Sequence, residues 1–233
     1  MLLIIRKLTV DNPFLLLSLC MLGWAGNTIA GRLSSGDISP MAIVFLRWAI
    51  VSSFLVLLRP SKIIDALPSL KGKFIWLFMM GGVGYTGFNS LFYLAAHQTS
   101  AINLGIIQGV MPAIILLGSV IIFKEKTNII QIIGLILTFL GILILVSKAN
   151  IKILLLFSLN YGDLIMLLSC FLYAGFTLGL RNKPSIDPFA MMFFFSLTAL
   201  ISSIGCLTIE YFYDLVNWPS NFSEYLIILY IAF

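Results

Sequence analysis

Charge is what this sequence has least of. Aspartate, glutamate, lysine and arginine make up 10% of its 233 residues, against about a quarter in a soluble domain. Hydrophobic residues make up 61%, and mean hydropathy is +1.09. So little polar surface does not cover a globule in water, which excludes a soluble enzyme, a nucleic-acid-binding domain and a disordered chain. Cysteine is scarce as well. Cys20, Cys170 and Cys206 lie inside apolar stretches, with no metal-ligand spacing and no disulfide framework. No HExxH, paired-aspartate, Ser–Lys or Ser–His arrangement falls within those stretches, so the chain is read as a non-enzyme without metal or cofactor. Period-two alternation is missing too, which argues against a membrane β-barrel.

What the sequence does have is long apolar runs. A spanning helix needs roughly 20 mostly apolar residues. Seven complete runs of that kind lie at about 13–31, 40–58, 74–95, 101–123, 128–147, 162–180 and 189–209, and an eighth starts near Ser223 and reaches Phe233. The predicted fold is therefore all-α: a polytopic membrane helical bundle in the lipid bilayer. Basic residues give its orientation. With the N-terminus in the cytoplasm, the inner segments hold Arg6, Lys7, Arg59, Lys62, Lys71, Lys73, Lys124, Lys126, Arg181 and Lys183, and the outer ones only Arg32, Lys148 and Lys152. This is a positive-inside bias, and it predicts a multi-pass protein with its N-terminus in the cytoplasm. The net charge of +5 is thus no sign of a nucleic-acid partner, because the basic residues form no common face.

The chain also repeats itself. Trp24-Ala25-Gly26-Asn27-Thr28-Ile29-Ala30-Gly31-Arg32 aligns with Tyr173-Ala174-Gly175-Phe176-Thr177-Leu178-Gly179-Leu180-Arg181 at an offset of 149 positions (173 − 24). Pro40 opens the next run in the first copy and Pro188 in the second, one residue out of register. The first copy, residues 1–150, holds five runs. Because five is odd, the second copy, residues 151–233, enters the membrane upside down. Inverted repeats of this kind are a carrier architecture, with a solute site between the halves. The second copy holds two complete helices and the start of a third, so the expectation is a fragment of a ten-helix protein.

Together, Trp24-x-x-Asn27, Pro40-x6-Arg47, the glycine-rich third run leading to Tyr93-x-Ala95-Ala96, Thr99-Ser100-Ala101, Pro112, Glu125 and Gln131-x-x-Gly134-x6-Gly141 resemble the EamA-type members of the drug/metabolite transporter superfamily. The resemblance implies ten helices in two inverted five-helix repeats, cytoplasmic termini, and export or uptake of small metabolites across the inner (plasma) membrane. It also suggests that Glu125 helps hold an inner gate closed. Tyr173, the counterpart of Trp24, is placed with Glu125 as a gate or structural residue. A homodimer is left open. The competing reading is a seven-helix receptor or sensor, from the count of complete runs; it leaves the repeat unexplained.

Individual positions carry the site expectation. Arg47 lies seven residues into its run, about 10 Å down a helix, where a charge costs on the order of 3 kcal/mol or more without partners. It reads as a solute anchor or a structural arginine. Trp24 and Asn27 share one helical face. Tyr85, Asn89 and Tyr93 recur every four residues, as a cavity lining or as packing. Pro112 removes the hydrogen bond to the Gln108 carbonyl and kinks the fourth run, on which Asn103 and Gln108 are polar. Gly81, Gly82, Gly84 and Gly87 allow close helix approach. Trp48, Trp76 and Trp218 read as interfacial anchors, and His97 as an exposed interfacial residue. All nine acids (Asp11, Asp37, Asp65, Glu125, Asp163, Asp187, Glu210, Asp214 and Glu224) fall in connections or at run ends. With no acid in the first run to exchange a cation for protons, amino-acid-like or other neutral or anionic solutes fit better than cationic drugs. The substrate expectation is a small molecule of that kind, moved by alternating access.

Overall fold

A computed structural model describes residues 12–147 and 160–233. Arg6, Lys7, Asp11, Lys148 and Lys152 lie outside the described residues. The described elements are α1 (Pro13–Leu33), α2 (Pro40–Leu58), α3 (Pro60–Ala66), α4 (Phe74–Phe78), α5 (Phe88–Gln98), α6 (Ala101–Gln108), α7 (Met111–Phe123), α8 (Ile129–Ser147), α9 (Tyr161–Gly179), α10 (Pro188–Phe212) and α11 (Phe222–Ala232). Short 3-10 turns close α3 and α9. Met79–Gly87, between α4 and α5, is a π-helix. Among the described residues, five helical stretches are long and apolar enough to cross a membrane.

Local chemistry sets the helix starts. Proline opens α1, α2, α3 and α10, where its fixed φ suits the first turn and its missing N–H costs nothing. Asn12 Oδ1 accepts from Leu15 N at 3.2 Å, and Asp187 Oδ1 from Phe189 N at 2.9 Å. Asn160 and Asp163 form a reciprocal capping box on α9, and Asn221 caps α11. The fourth run is divided: α6 ends at Gln108, a turn occupies Gly109–Val110, and α7 begins with Pro112 in its first turn. The kink expected at Pro112 is therefore a break between two helices.

The third run crosses as α4, the π-helix and α5 rather than as one regular helix. Glycines weaken the local α preference, and packing uses the loosened turns. A Cβ on Gly81 would sit 1.9 Å from Thr198 Oγ1 and 2.5 Å from the Phe195 carbonyl oxygen; on Gly84 it would sit 2.5 Å from the Phe176 ring. Across this contact Thr86 Oγ1 donates to the Ala199 carbonyl at 2.7 Å, and Thr198 Oγ1 to the Leu77 carbonyl at 3.2 Å.

The helices pack around one core. α10 lies along α2 and the π-helix, α9 along α5, α7 and the π-helix, and α11 against α2 and α1. Phe92, Tyr93, Ile43, Leu104 and Met166 are fully buried. The periphery is apolar: Leu57 is 81% exposed, Ile75 79% and Ile121 74%. A belt of that kind belongs against lipid rather than water.

α2 and α10 run antiparallel and are tied at both ends. At one end Ser39 Oγ donates to Glu210 Oε2 at 2.6 Å, and Met41 N contacts Glu210 Oε1 at 3.4 Å. At the other, Lys62 Nζ lies 3.3 Å from Asp187 Oδ2. These are called the Ser39 end and the Lys62 end below.

Candidate functional site

Arg47, halfway along α2, is the centre of a polar cluster inside the bundle. Its Nη1 donates to Asn89 Oδ1 and to Tyr93 Oη, each at 3.1 Å, with a longer contact of 3.5 Å to Asn27 Oδ1. Tyr93 Oη in turn donates to Asn27 Oδ1 at 2.9 Å. Asn89 Nδ2 donates to the Tyr85 carbonyl at 2.7 Å, which fixes the amide with its oxygen toward the arginine. Three helical stretches thus converge: α1 brings Asn27, α2 brings Arg47, and α5 brings Asn89 and Tyr93. Asn27, Asn89 and Tyr93 are all buried.

Among the described residues no carboxylate balances this arginine. Among the described residues the ion pairs are Lys62–Asp187 and Arg181–Glu125. All three Arg47 bonds use Nη1, and Nε is buried without a partner. Arg47 is half-buried, and its other contact is the Trp48 ring, whose centroid lies 5.1 Å from Cζ; neutral oxygens and a ring leave most of its charge uncompensated.

A cavity of about 360 Å³ opens beside Arg47, lined also by Trp24, Trp48, Tyr85, Asn89 and Tyr173. Rings form most of its wall. Trp48 stacks on Tyr85 with centroids 4.7 Å apart, Trp24 meets Tyr173 at 5.1 Å, and Phe176 packs on Tyr85 at 5.0 Å. Cys20, Val51 and Met192 also line it; their helix positions put the cavity on the Lys62 side of the arginine cluster. Toward the Ser39 end, Phe92 and Tyr93 are fully buried and close the bundle.

The structure brings together Trp24, Asn27, Arg47, Tyr85, Asn89, Tyr93 and Tyr173. It places three expected residues elsewhere. Asn103 points to the Ser39 end, where its Nδ2 reaches Asp163 Oδ1 at 3.2 Å beside Thr99; it caps a buried acid instead of lining the cavity. Gln108 donates to Thr28 Oγ1 at 3.2 Å. Gln108 and Pro112 line a second, mostly apolar cavity of about 640 Å³ between α1 and α6–α7, which shares Trp24 and Tyr173 with the first. Gly105 faces that space with nothing within 4 Å, so it mediates no close helix approach.

Other expectations are also revised. Trp48 is 5% exposed and sits in the middle of α2, so it is a cavity wall; Trp218, 49% exposed, has the exposure of an interfacial anchor. Trp76 packs on Phe195 at 5.6 Å. His97 is half-buried, with Nε2 enclosed and unpartnered. Asp163, Glu210 and Glu224 do lie at helix ends, but each is buried, its carboxylate held by backbone and side-chain donors. Glu125 is half exposed and pairs with Arg181 rather than with its lysine neighbours; Arg181 also lies 4.3 Å over the Phe123 ring. Phe88 and Phe176 were missed as cavity residues. The repeat alignment held a signal for Phe176, which is the counterpart of Asn27.

Fold and cavity together define a multi-pass membrane protein with a polar, ring-walled pocket inside its helical bundle. The EamA-like transporter family model matches residues 12–147, more than half of the chain, and the chain belongs to that family. It is 31% identical over 88 residues, 38% of this chain and 29% of the relative, to the uncharacterized transporter YyaM of Bacillus subtilis strain 168. It is 28% identical over 169 residues, 72% of this chain and 56% of the relative, to an uncharacterized transporter of Archaeoglobus fulgidus. The chain therefore covers less than two thirds of the length of either curated relative.

Proposed function

We propose that this chain forms the greater part of a secondary carrier that moves small neutral or anionic metabolites, including amino-acid-like solutes, across the inner membrane by alternating access. The observation that carries the reading is Arg47: a cation without a carboxylate partner, at mid-helix depth, on the wall of an internal cavity. A purely structural arginine would be expected to have its donors filled. In this reading Trp24, Asn27, Tyr85, Asn89, Tyr93 and Tyr173 line the solute path with it.

Reciprocal contacts support two inverted repeats divided near residue 150. The step of 148 positions from Pro40 to Pro188 also carries Ser39 to Asp187 and Lys62 to Glu210. Ser39 meets Glu210, and Lys62 meets Asp187. Such an exchange of partners is what a half-turn about an axis in the membrane plane produces. Trp24 and its counterpart Tyr173 touch, as residues beside that axis would. Helix packing follows the same rule: the π-helix on α9 is mirrored by α11 on α1, and the π-helix on α10 by α11 on α2. A seven-helix receptor has no reason for these pairings. The match of the family model to residues 12–147 fits one repeat.

With the N-terminus cytoplasmic, the cavity lies on the cytoplasmic side of Arg47 and the Ser39 end is the closed outer face. Glu125 with Arg181 then sits at the inner mouth. The test is transport of amino acids and small metabolites by the full-length protein in proteoliposomes, comparing wild type with Arg47→Ala and Asn27→Ala. Loss of uptake in both variants is expected, and unchanged uptake would remove the site assignment. Reporters fused after Lys73 and after Asn217 should read cytoplasmic and periplasmic.

A further inference from the structure

The connection between α2 and α4, residues 59–73, carries Arg59, Lys62, Lys71 and Lys73 against a single acid, Asp65. Two of the four cations are engaged by the start of α10. Lys62 meets Asp187, and the Arg59 guanidinium carbon lies 5.6 Å from the centroid of the Phe189 ring. Lys71 and Lys73 are exposed, and among the described residues neither has an ionic partner. Gly72 turns the chain between them at φ +79°, a conformation that favours glycine, and Lys73 N donates to the Leu70 carbonyl at 2.9 Å. This turn holds both lysines at the foot of α4.

The fold does not require these lysines. The step of 148 positions that relates the two repeats carries residues 59–73 to 207–221. That second segment contains no lysine or arginine, and it holds Glu210 and Asp214. Lys71 answers to Pro219 and Lys73 to Asn221. Asn221 Oδ1 accepts from Glu224 N at 3.0 Å and caps its helix, whereas the Lys73 side chain caps nothing, and a cation there opposes the helix dipole. Two connections with the same place in the fold thus carry opposite charge, so the difference answers to their surroundings.

Those surroundings are membrane. Ile63, Ala66 and Leu70 are buried and turn one face of α3 and its 3-10 turn into the bundle. Ile64 and Leu67, with Phe74 and Ile75 just beyond the lysines, are exposed. Cations beside an exposed apolar edge match the two halves of a charged lipid.

We propose that the 59–73 connection is a seat for an anionic phospholipid. Lys71 and Lys73 take the phosphodiester of a headgroup that carries no ammonium of its own, and the acyl chains lie over Ile64, Leu67 and Ile75. With the N-terminus cytoplasmic, the lipid belongs to the inner leaflet. The proposal uses the repeat and the orientation given above but not the carrier reading, which stands or falls by transport in proteoliposomes.

The test titrates the full-length protein in detergent micelles with acyl-labelled phosphatidylglycerol and phosphatidylcholine of matched chain length. Phosphatidylglycerol should bind about tenfold tighter or more, since each lysine near the headgroup contributes about fivefold, and the excess should shrink as salt rises. Lys71→Gln/Lys73→Gln should lose most of the preference. Lys124→Gln/Lys126→Gln, which removes the same charge from the connection between α7 and α8, should keep it. Inorganic phosphate and the soluble headgroup glycerophosphoglycerol should compete weakly, because they leave the apolar edge uncovered. Equal binding of the two lipids by wild type would overturn the proposal, and that comparison needs no variant to fold; it is the result expected of lysines that serve only to orient the chain on insertion. A preference that survives Lys71→Gln/Lys73→Gln, or one lost equally in both double variants, would overturn it too. So would full displacement of the lipid by inorganic phosphate, which would mark a site for free anions instead.

Discussion

Gly81 is where the packing leaves least room. A methyl group added there would lie 1.9 Å from Thr198 Oγ1 and 2.5 Å from the backbone oxygen of Phe195. The threonine side chain can turn away, but only by giving up its 3.2 Å bond to the Leu77 carbonyl. The Phe195 oxygen belongs to α10 and moves only with the helix. Gly81→Ala must therefore push the π-helix and α10 apart, or strain both. Overpacking of this kind costs about 1–3 kcal/mol. At about 2–4 °C per kcal/mol for a chain of this size, unfolding should come roughly 2–12 °C earlier. Gly105→Ala is the control, since nothing lies within 4 Å of it. There alanine's better helix propensity, about 1 kcal/mol, should leave stability unchanged or raised. Removing the hydroxyl and methyl in Gly81→Ala/Thr198→Ala should recover part of the loss, because the backbone clash remains. The assay is thermal unfolding of the purified protein in detergent, followed by tryptophan fluorescence. Equal unfolding temperatures for Gly81→Ala and Gly105→Ala would refute the reasoning.

Three more expectations follow from the same contacts. Tyr93→Phe leaves Asn27 Oδ1 with only its 3.5 Å contact from Arg47 and takes one acceptor from Arg47, so it should cost about 1–3 kcal/mol in unfolding free energy and lower solute uptake in the proteoliposome assay. Glu125→Gln breaks a pair whose side chains are about half exposed, so its unfolding cost should stay under about 1 kcal/mol, and a larger loss would mean the pair is desolvated in the folded protein. Asp187 is held below the usual carboxylate range by its bond from the Phe189 amide and then by Lys62; because the folded value is the lower one, its contribution is full above about pH 4 and is lost as pH falls through the folded value. Unfolding temperature measured from pH 6 down to pH 3 should therefore drop less in Asp187→Asn than in wild type.

Much of this architecture was legible because membrane helices announce themselves. Proline after Asn12 and Ser39 marked two helix starts to the residue, and Pro188 opens a third one position before the expected run. Four-residue spacing put Asn89 and Tyr93 on one face, and the depth of Arg47 required polar partners, which proved to be those two with Asn27. Periodicity states which face a residue occupies but not what stands opposite. Asn103 looked like a cavity residue until Asp163, sixty positions away in sequence, claimed its amide. Trp48 was misplaced because tryptophan is common at interfaces, and nothing local signals the Tyr85 ring stacked on it. The π-helix at Met79–Gly87 depends on the approach of α10, so the glycines hinted at close packing but not at the altered winding. The buried acids Asp163 and Glu210 were placed correctly at helix ends, yet their burial comes from neighbours that only the fold assembles.

A counterflow experiment addresses the central claim most directly. Proteoliposomes holding the full-length protein are loaded with excess unlabelled solute and diluted into a trace of the same solute carrying a radiolabel. A carrier that exposes the Arg47 cavity to one side at a time should give a transient overshoot of label, abolished by Arg47→Ala in folded protein. Label that only equilibrates without overshoot, or an overshoot unaffected by Arg47→Ala, would contradict it.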